Sequence, residues 1–101
     1  MGKLITVYWR DIPAQVIAKR GRESAKIQLS ERFQVAIDRA AMRAGKGGSE
    51  QYLDDWRRVT QNCGDDLDAA ARQAAEQLEA QFNDEFLERV VKASGRLPLD
   101  A

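Results

Sequence analysis

The fold is decided by the stretch Leu4–Trp9, which reads Leu-Ile-Thr-Val-Tyr-Trp. Its residues are β-branched, aromatic or aliphatic, the types that suit a pleated surface. A strand with one wet face alternates apolar with polar residues, and this stretch does not. We therefore predict a strand that is covered on both faces. The cover is either helices on each side, or helices on one side and a partner chain on the other.

Two further strand-like runs follow the first. Gln15–Arg20 and Ser24–Leu29 flank a turn that contains Gly21, and a short glycine-containing connection of this kind is typical of a hairpin. Together with Leu4–Arg10 they predict a small antiparallel sheet of about three strands. Val59–Asn62 is a candidate fourth strand.

Apolar residues at helical spacing predict the second part of the fold. Helix 31–44 has an apolar face made mostly of alanine, with Ser30 as its expected N-cap and Gly45 as its terminator. A second helix is predicted over 50–58. The segment Lys46-Gly47-Gly48 between them reads as a flexible loop.

The longest apolar repeat predicts a helix over 65–94. A straight helix of that length would be roughly 45 Å long, whereas a domain of this size is about 35 Å across. The helix therefore either overhangs into a partner or breaks. Asn83-Asp84 is the expected break, since both residues favour helix starts over helix interiors.

The predicted fold is α+β: a small antiparallel sheet of about three strands, followed by two or three helices of which the last is long. A chain of 101 residues is enough for one domain with a modest core. We assign that domain to residues 1–95 and a flexible tail to 96–101.

Composition excludes several kinds of chemistry. The chain has no histidine and a single cysteine, Cys63, which excludes histidine-dependent triads, zinc sites with histidine ligands and an intramolecular disulfide. No catalytic motif, metal site or cofactor is predicted.

No apolar run approaches the roughly 20 residues of a membrane span, so no membrane contact is expected and a cytoplasmic location is the default.

Charge is balanced overall and uneven along the chain. Residues 1–49 carry ten Lys/Arg and four Asp/Glu, whereas residues 50–101 carry six and twelve. Such asymmetry either hints at a charged partner or reflects two halves that fold onto each other and complement locally.

Three groups of residues are candidate contact sites. A basic hairpin could contact an anion or nucleic acid, or its charges could simply protect a sheet edge. Two aromatics beside an Arg–Asp pair at the end of the first strand form either a pocket rim or packing. The wide apolar stripe near the chain end either faces a second chain or belongs to a monomer core. In that order, the groups are Lys19, Arg20, Arg22 and Lys26; Tyr8, Trp9, Arg10 and Asp11; and Phe82, Phe86, Leu87, Val90 and Val91.

Three stretches carry a resemblance: YWRDIP at 8–13, AIDRAAMRAG at 36–45 and YLDDWRR at 52–58. Across most of its length, to about Gly95, the chain resembles a family of small bacterial proteins labelled "virulence factor". In some larger chains a similar domain is joined to helical repeats, and relatives occur alongside one-carbon and methyl-transfer enzymes. The resemblance implies an assembly or accessory role and supplies no site residues.

The functional prediction is a non-catalytic interaction module: a small accessory subunit or homodimer in a virulence-associated or metabolic, one-carbon system. The alternative is an anion or nucleic-acid binder that uses the basic hairpin Lys19–Lys26. An enzyme would need carboxylates, Cys63 or a tyrosine as its acid or base.

Overall fold

The chain folds into a four-stranded antiparallel sheet with helices, which confirms the α+β prediction. The computed structural model describes residues 2–45 and 49–97. The sheet has the strand order β3-β2-β1-β4. The strands are β1 Gly2–Trp9, β2 Ile12–Arg20, β3 Glu23–Gln28 and β4 Trp56–Cys63, and the helices are α1 Glu31–Arg43, α2 Ser49–Asp54, α3 Leu67–Gln81 and α4 Asp84–Lys92.

The predicted first strand lies inside the sheet, between β2 and β4. Ile5 is opposite Ile17 of β2 on one side and opposite Thr60 of β4 on the other. The register of β1 against β2 shifts between Val7 and Tyr8. The three predicted strands all form, and the candidate fourth strand is longer than predicted because its whole length pairs with β1.

One face of the sheet builds the core with α3. Leu4, Val16 and Ala18 are buried on this face, and they belong to the same apolar cluster as Ala71 and Ala75 of α3. The small side chains of α3 allow the helix axis to approach the strands closely. α3 lies over β2 and β3 and reaches β1, while β4 extends beyond it.

Helix α1 confirms the predicted alanine-rich face, which is buried. Its start differs from the expectation, because the Ser30 hydroxyl makes no cap hydrogen bond to its own helix. That hydroxyl instead donates to Glu79 of α3 at 2.9 Å. A tertiary partner has replaced the local one.

The long helix predicted over 65–94 is divided at the expected place. α3 ends at Gln81, and Asn83 caps α4 by accepting from the backbone N–H of Phe86 at 2.8 Å. The break lets α4 turn back and pack against α1. The last helix is therefore short, and no overhanging segment forms here.

The helix predicted over 50–58 ends early. α2 stops at Asp54, and Trp56 begins β4 directly opposite Trp9. The backbone N–H of Arg10 donates to the Asp55 carbonyl at 2.9 Å, which fixes the change of direction. Pairing with β1 therefore overrides the local helical pattern. The predicted loop 46–48 and tail residues 98–101 lie outside the described residues.

The two oppositely charged halves complement each other locally. Ion pairs link first-half arginines to second-half acids: Arg10 with Asp55, Arg20 with Asp65, Arg32 with Glu79 and Asp84, and Arg39 with Glu88. The Arg39 guanidinium hydrogen-bonds to Glu88 and holds the pKa of that carboxyl below its usual range. At these positions the charge asymmetry serves contacts within the chain.

Glu79 joins α3 to the start of α1. Its carboxylate accepts from the Ser30 backbone N–H at 2.8 Å and the Ser30 hydroxyl at 2.9 Å, and from Arg32 at 3.0 Å. Burial raises the pKa of Glu79, but these hydrogen bonds and the charge of Arg32 outweigh burial. They hold the pKa below its usual range.

Replacing Glu79 by glutamine is expected to lower the free energy of unfolding at neutral pH by about 1 kcal/mol, because charge-assisted hydrogen bonds are lost. The folded pKa lies below the unfolded one. The ionised carboxylate therefore stabilises the fold above the unfolded pKa, and this contribution is lost as pH falls through the folded pKa. Urea denaturation from neutral pH to about pH 3 should show a shallower fall for E79Q than for wild type.

The matched control is Glu76→Gln, an exposed glutamate on the same helix. It should leave the pH dependence close to that of wild type. Equal slopes for both variants would contradict the role of Glu79.

Candidate interaction surface

The second face of the sheet, opposite α3, is defined by the strand register. Alternate residues of each strand point to this face, and we call their set the open face. Its side chains form three rows across β3, β2, β1 and β4. The rows are Gln28, Gln15, Val7 and Arg58; Lys26, Ile17, Ile5 and Thr60; and Ser24, Lys19, Lys3 and Asn62.

The centre of the open face is apolar and lies outside the core. Ile5 and Ile17 are half-buried, and within residues 2–45 and 49–97 neither they nor Val7 joins the apolar cluster that the helices build. Val7 is only 8% exposed. It lines a shallow groove of about 660 Å³ together with Gln15, Trp56 and the arginines of β4. Along these rows no described helix joins the three side chains to its apolar cluster, and a partner on the second face stays a prediction.

The charged side chains of the open face are all cationic. Lys3, Lys19, Lys26 and Arg58 belong to it, and none of its residues is acidic. In the described part of the chain, Lys19, Lys26 and Arg58 make no ion pair. Several arginines elsewhere in the molecule are neutralised by ion pairs. These three cations are not paired in that way among the described residues, and they are available to a binding partner.

Two lysines of this face stand directly opposite each other. Lys3 of β1 pairs with Lys19 of β2, an arrangement that destabilises a sheet because like charges meet. The Lys3 ammonium donates at 2.7 Å to the side-chain oxygen of Asn62, a neutral residue. The Lys3 ammonium therefore lies towards β4, on the side of β1 away from Lys19, and none of the residues of the open face is acidic.

The predicted aromatic group at the end of β1 makes contacts with other parts of the chain. Trp9 is fully buried, stacks on Tyr52 with ring centroids 5.8 Å apart, and donates its indole N–H to the Tyr52 carbonyl at 2.8 Å. Arg10 bonds to Asp55 and donates to the Ser94 carbonyl. These contacts tie the β1–β2 turn to both α2 and the end of α4.

The other two members of that group serve the same junction. Tyr8 is half-buried, with the Arg57 guanidinium 4.6 Å from its ring centroid. Asp11 accepts from Arg57 at 3.0 Å and from the Leu97 backbone N–H at 2.8 Å. The structure thus brings all four residues together, in a junction whose contacts are made within the chain.

The basic hairpin is divided between two surfaces. Lys19 and Lys26 point to the open face, whereas Arg20 points to the other side and pairs with Glu23 and Asp65. Arg22 is exposed in the turn. Two of the four predicted cations therefore join Lys3 and Arg58, which sequence reasoning missed.

The apolar stripe of the last helix faces inward. Phe82, Leu87, Val90 and Val91 are at most 5% exposed, and Phe86 packs against the same core. Within the described chain these side chains fill the space between α4, α1 and the end of α3. This stripe serves the monomer core and does not offer a free face to a second chain.

Among the described residues, no group of three or more Cys, Asp or Glu side chains is placed to hold a metal ion. Cys63 is half-buried at the end of β4, with Leu67 of α3 nearby across Gly2. None of the helices within the described ranges is long and apolar enough to cross a bilayer.

These features define a small α+β domain in which the charged side chains of one sheet face are all cationic. The chain belongs to the family described as "Virulence factor", whose model matches residues 7–91. That span includes most of the sheet and nearly all of the helical layer. No curated protein and no solved structure shows a significant match to the chain.

Proposed function

We propose that this domain is a non-catalytic interaction module, a small accessory subunit of a cytoplasmic bacterial assembly, which binds another protein through its open face. The observation that carries the proposal is the apolar centre of this face, where the half-buried Ile5 and Ile17 lie beside Val7 and outside the apolar cluster of the helices. Sheet faces with apolar side chains are stable when another layer covers them. Among the described residues, the apolar cluster of the helices takes in Leu4, Val16 and Ala18 of the opposite face but none of the three residues of the apolar centre.

The charge of the open face favours a different protein over a second copy. Two copies that met through this face would bring two sets of four cations together, and like charges across an interface oppose association. An accessory subunit is thus the better form of the proposal. The family resemblance makes one-carbon and methyl-transfer enzymes the first partners to examine.

The double variant Ile5→Thr/Ile17→Thr is expected to reduce capture of the partner at least tenfold, since the apolar contact at the centre is replaced by hydroxyls. Threonine keeps the β-branched shape, and both positions lie outside the core. Tagged wild type and variant would be used on extracts of the source bacterium, with captured proteins quantified by mass spectrometry. Circular dichroism would confirm that the variant is folded.

The control is Val35→Thr/Met42→Thr, which makes the same kind of change at exposed apolar side chains of α1, 47% and 77% exposed. It should leave capture unchanged. A set of captured proteins that is the same for wild type and the Ile5/Ile17 variant would overturn the proposal.

Nucleic-acid binding is the second candidate, favoured by the four cations of the open face. Such binding would weaken steeply with salt, because it is driven by counterion release. It would also be lost when Lys3, Lys19, Lys26 and Arg58 are neutralised together. The absence of any gel shift of DNA or RNA at low salt would exclude it.

A further inference from the structure

We infer that the open face receives an acidic amphipathic helix of the partner protein, whose apolar stripe covers Ile5, Val7 and Ile17. This inference rests on the proposed function and names the chemistry of the partner. It follows from the shape of the apolar centre and from the position of the cations around it.

The apolar centre fits one helix. Ile17 and Ile5 are cross-strand neighbours at the middle of the sheet, and Val7 lies next to Ile5 on the same strand face. Adjacent strands are about 4.8 Å apart and alternate residues about 6.8 Å apart, so the three side chains form a compact patch. A helix with its side chains is about 10 Å wide, which is enough to cover the patch with one apolar stripe.

The cations surround this centre and match acids on the flanks of such a stripe. Lys26 lies beside Ile17 on β3, and Arg58 lies beside Val7 on β4. Strand and residue spacings place their Cα atoms about 16 Å apart, close to three turns of helix. Glutamates three turns apart on either side of an apolar stripe would thus reach both cations.

The row of the open face that contains Lys3 and Lys19 also favours an anionic partner. Lys3 and Lys19 lie on neighbouring strands there, and the open face contributes no carboxylate. An acidic side chain of the partner would gain charge-assisted contacts with these lysines. Binding of an anionic helix is therefore favoured over binding of a neutral one.

A protein helix fits this surface better than a nucleic acid does. Proteins that bind single strands use aromatic side chains as stacking platforms. The three rows of the open face contain no aromatic residue, and the half-buried Trp56 lies at one end of the face beside Val7. Their centre is aliphatic, which suits the leucine side chains of a helix. The cations would attract either an acidic helix or a nucleic acid, but only the helix would also contact the apolar centre.

The test uses the intact domain and three synthetic peptides of about 20 residues. The first has leucines at helical spacing flanked by glutamates, the second has lysines in place of the glutamates, and the third has the composition of the first in scrambled order. Binding would be followed by ¹⁵N NMR titration and isothermal calorimetry. The first peptide should bind with shifts centred on Ile5, Ile17 and Lys26, and the other two should not.

Charge reversal on the domain supplies the second arm. Lys19→Glu/Lys26→Glu should weaken the acidic peptide at least tenfold, because two attractive contacts become repulsive. The control Arg72→Glu/Arg89→Glu reverses two exposed arginines on the helices and should change affinity less than twofold. Raising the salt concentration should weaken binding of the wild type, since exposed charges are screened.

Several outcomes would overturn the inference: equal binding of the lysine or scrambled peptide, no shift on the open face at millimolar acidic peptide, or oligo-dT binding on this face in place of the peptide. The proposed function can survive these results. If a captured protein depends on Ile5 and Ile17 but presents a basic or non-helical element, only the acidic helix is wrong. If capture does not depend on them, both proposals fail.

Discussion

The Trp9→Ala variant is expected to lose about 4 kcal/mol of unfolding free energy, the range found for large aromatic side chains removed from a core. Trp9 is fully buried, stacks on Tyr52 and donates its indole N–H to the Tyr52 carbonyl. Its removal would leave a cavity where the first strand, α2 and the end of α4 meet. Domains of this size are stable by about 5–15 kcal/mol, so the loss takes a large share of the total.

Urea denaturation followed by circular dichroism measures this loss. The comparison is Trp56→Ala, the same substitution directly opposite on β4, where the ring is only half-buried. It should cost about 2 kcal/mol, in proportion to the smaller area buried. Equal losses at the two positions would show that Trp9 does not hold the junction.

The second large effect is expected at Gly95, which closes the same junction. Its φ of +90° is unfavourable for any residue with a side chain, and an added Cβ would lie 2.8 Å from Cζ3 of Trp9. The Trp9 ring is enclosed and cannot move aside. Gly95→Ala should therefore cost about 3 kcal/mol, from the left-handed backbone and from overpacking together.

Gly21→Ala separates these two causes. Gly21 also has a positive φ, +59°, but an added Cβ would meet nothing within 4 Å. The control should cost only the backbone part, about 1 kcal/mol. Thermal and urea unfolding of both variants would give the difference, and similar losses at the two glycines would contradict the contact with Trp9.

Local sequence signals predicted those parts of the fold whose causes are local. The alanine face of α1 and the break at Asn83 follow from spacing and capping chemistry, and both are present. The helix predicted over 50–58 shows the limit. Tyr52 and Trp56 have helical spacing, but Trp56 pairs with Trp9 on a strand far away in sequence. Such a partner cannot be inferred from a window of a few residues.

The candidate surface was harder to predict than the fold. Leu4–Trp9 predicted apolar cover on both faces, but its pattern cannot say whether the cover comes from the same chain or from another one. The cationic set could be found only after strand register was known, because Lys3 and Arg58 lie 55 residues apart in sequence. The signal that could have found them is the alternation of side chains along β1. Once β4 is paired with β1, this alternation places Lys3 and Arg58 on the same face.

The outward-pointing rows of the sheet have a consequence for how the domain can change. Since their side chains contribute little to the packing beneath, they can be exchanged while the backbone and the interior stay as they are. New rows on an unaltered scaffold would present a different chemistry to a different client. The residues that face outward and the residues that pack the interior thereby alternate, one position apart along each strand.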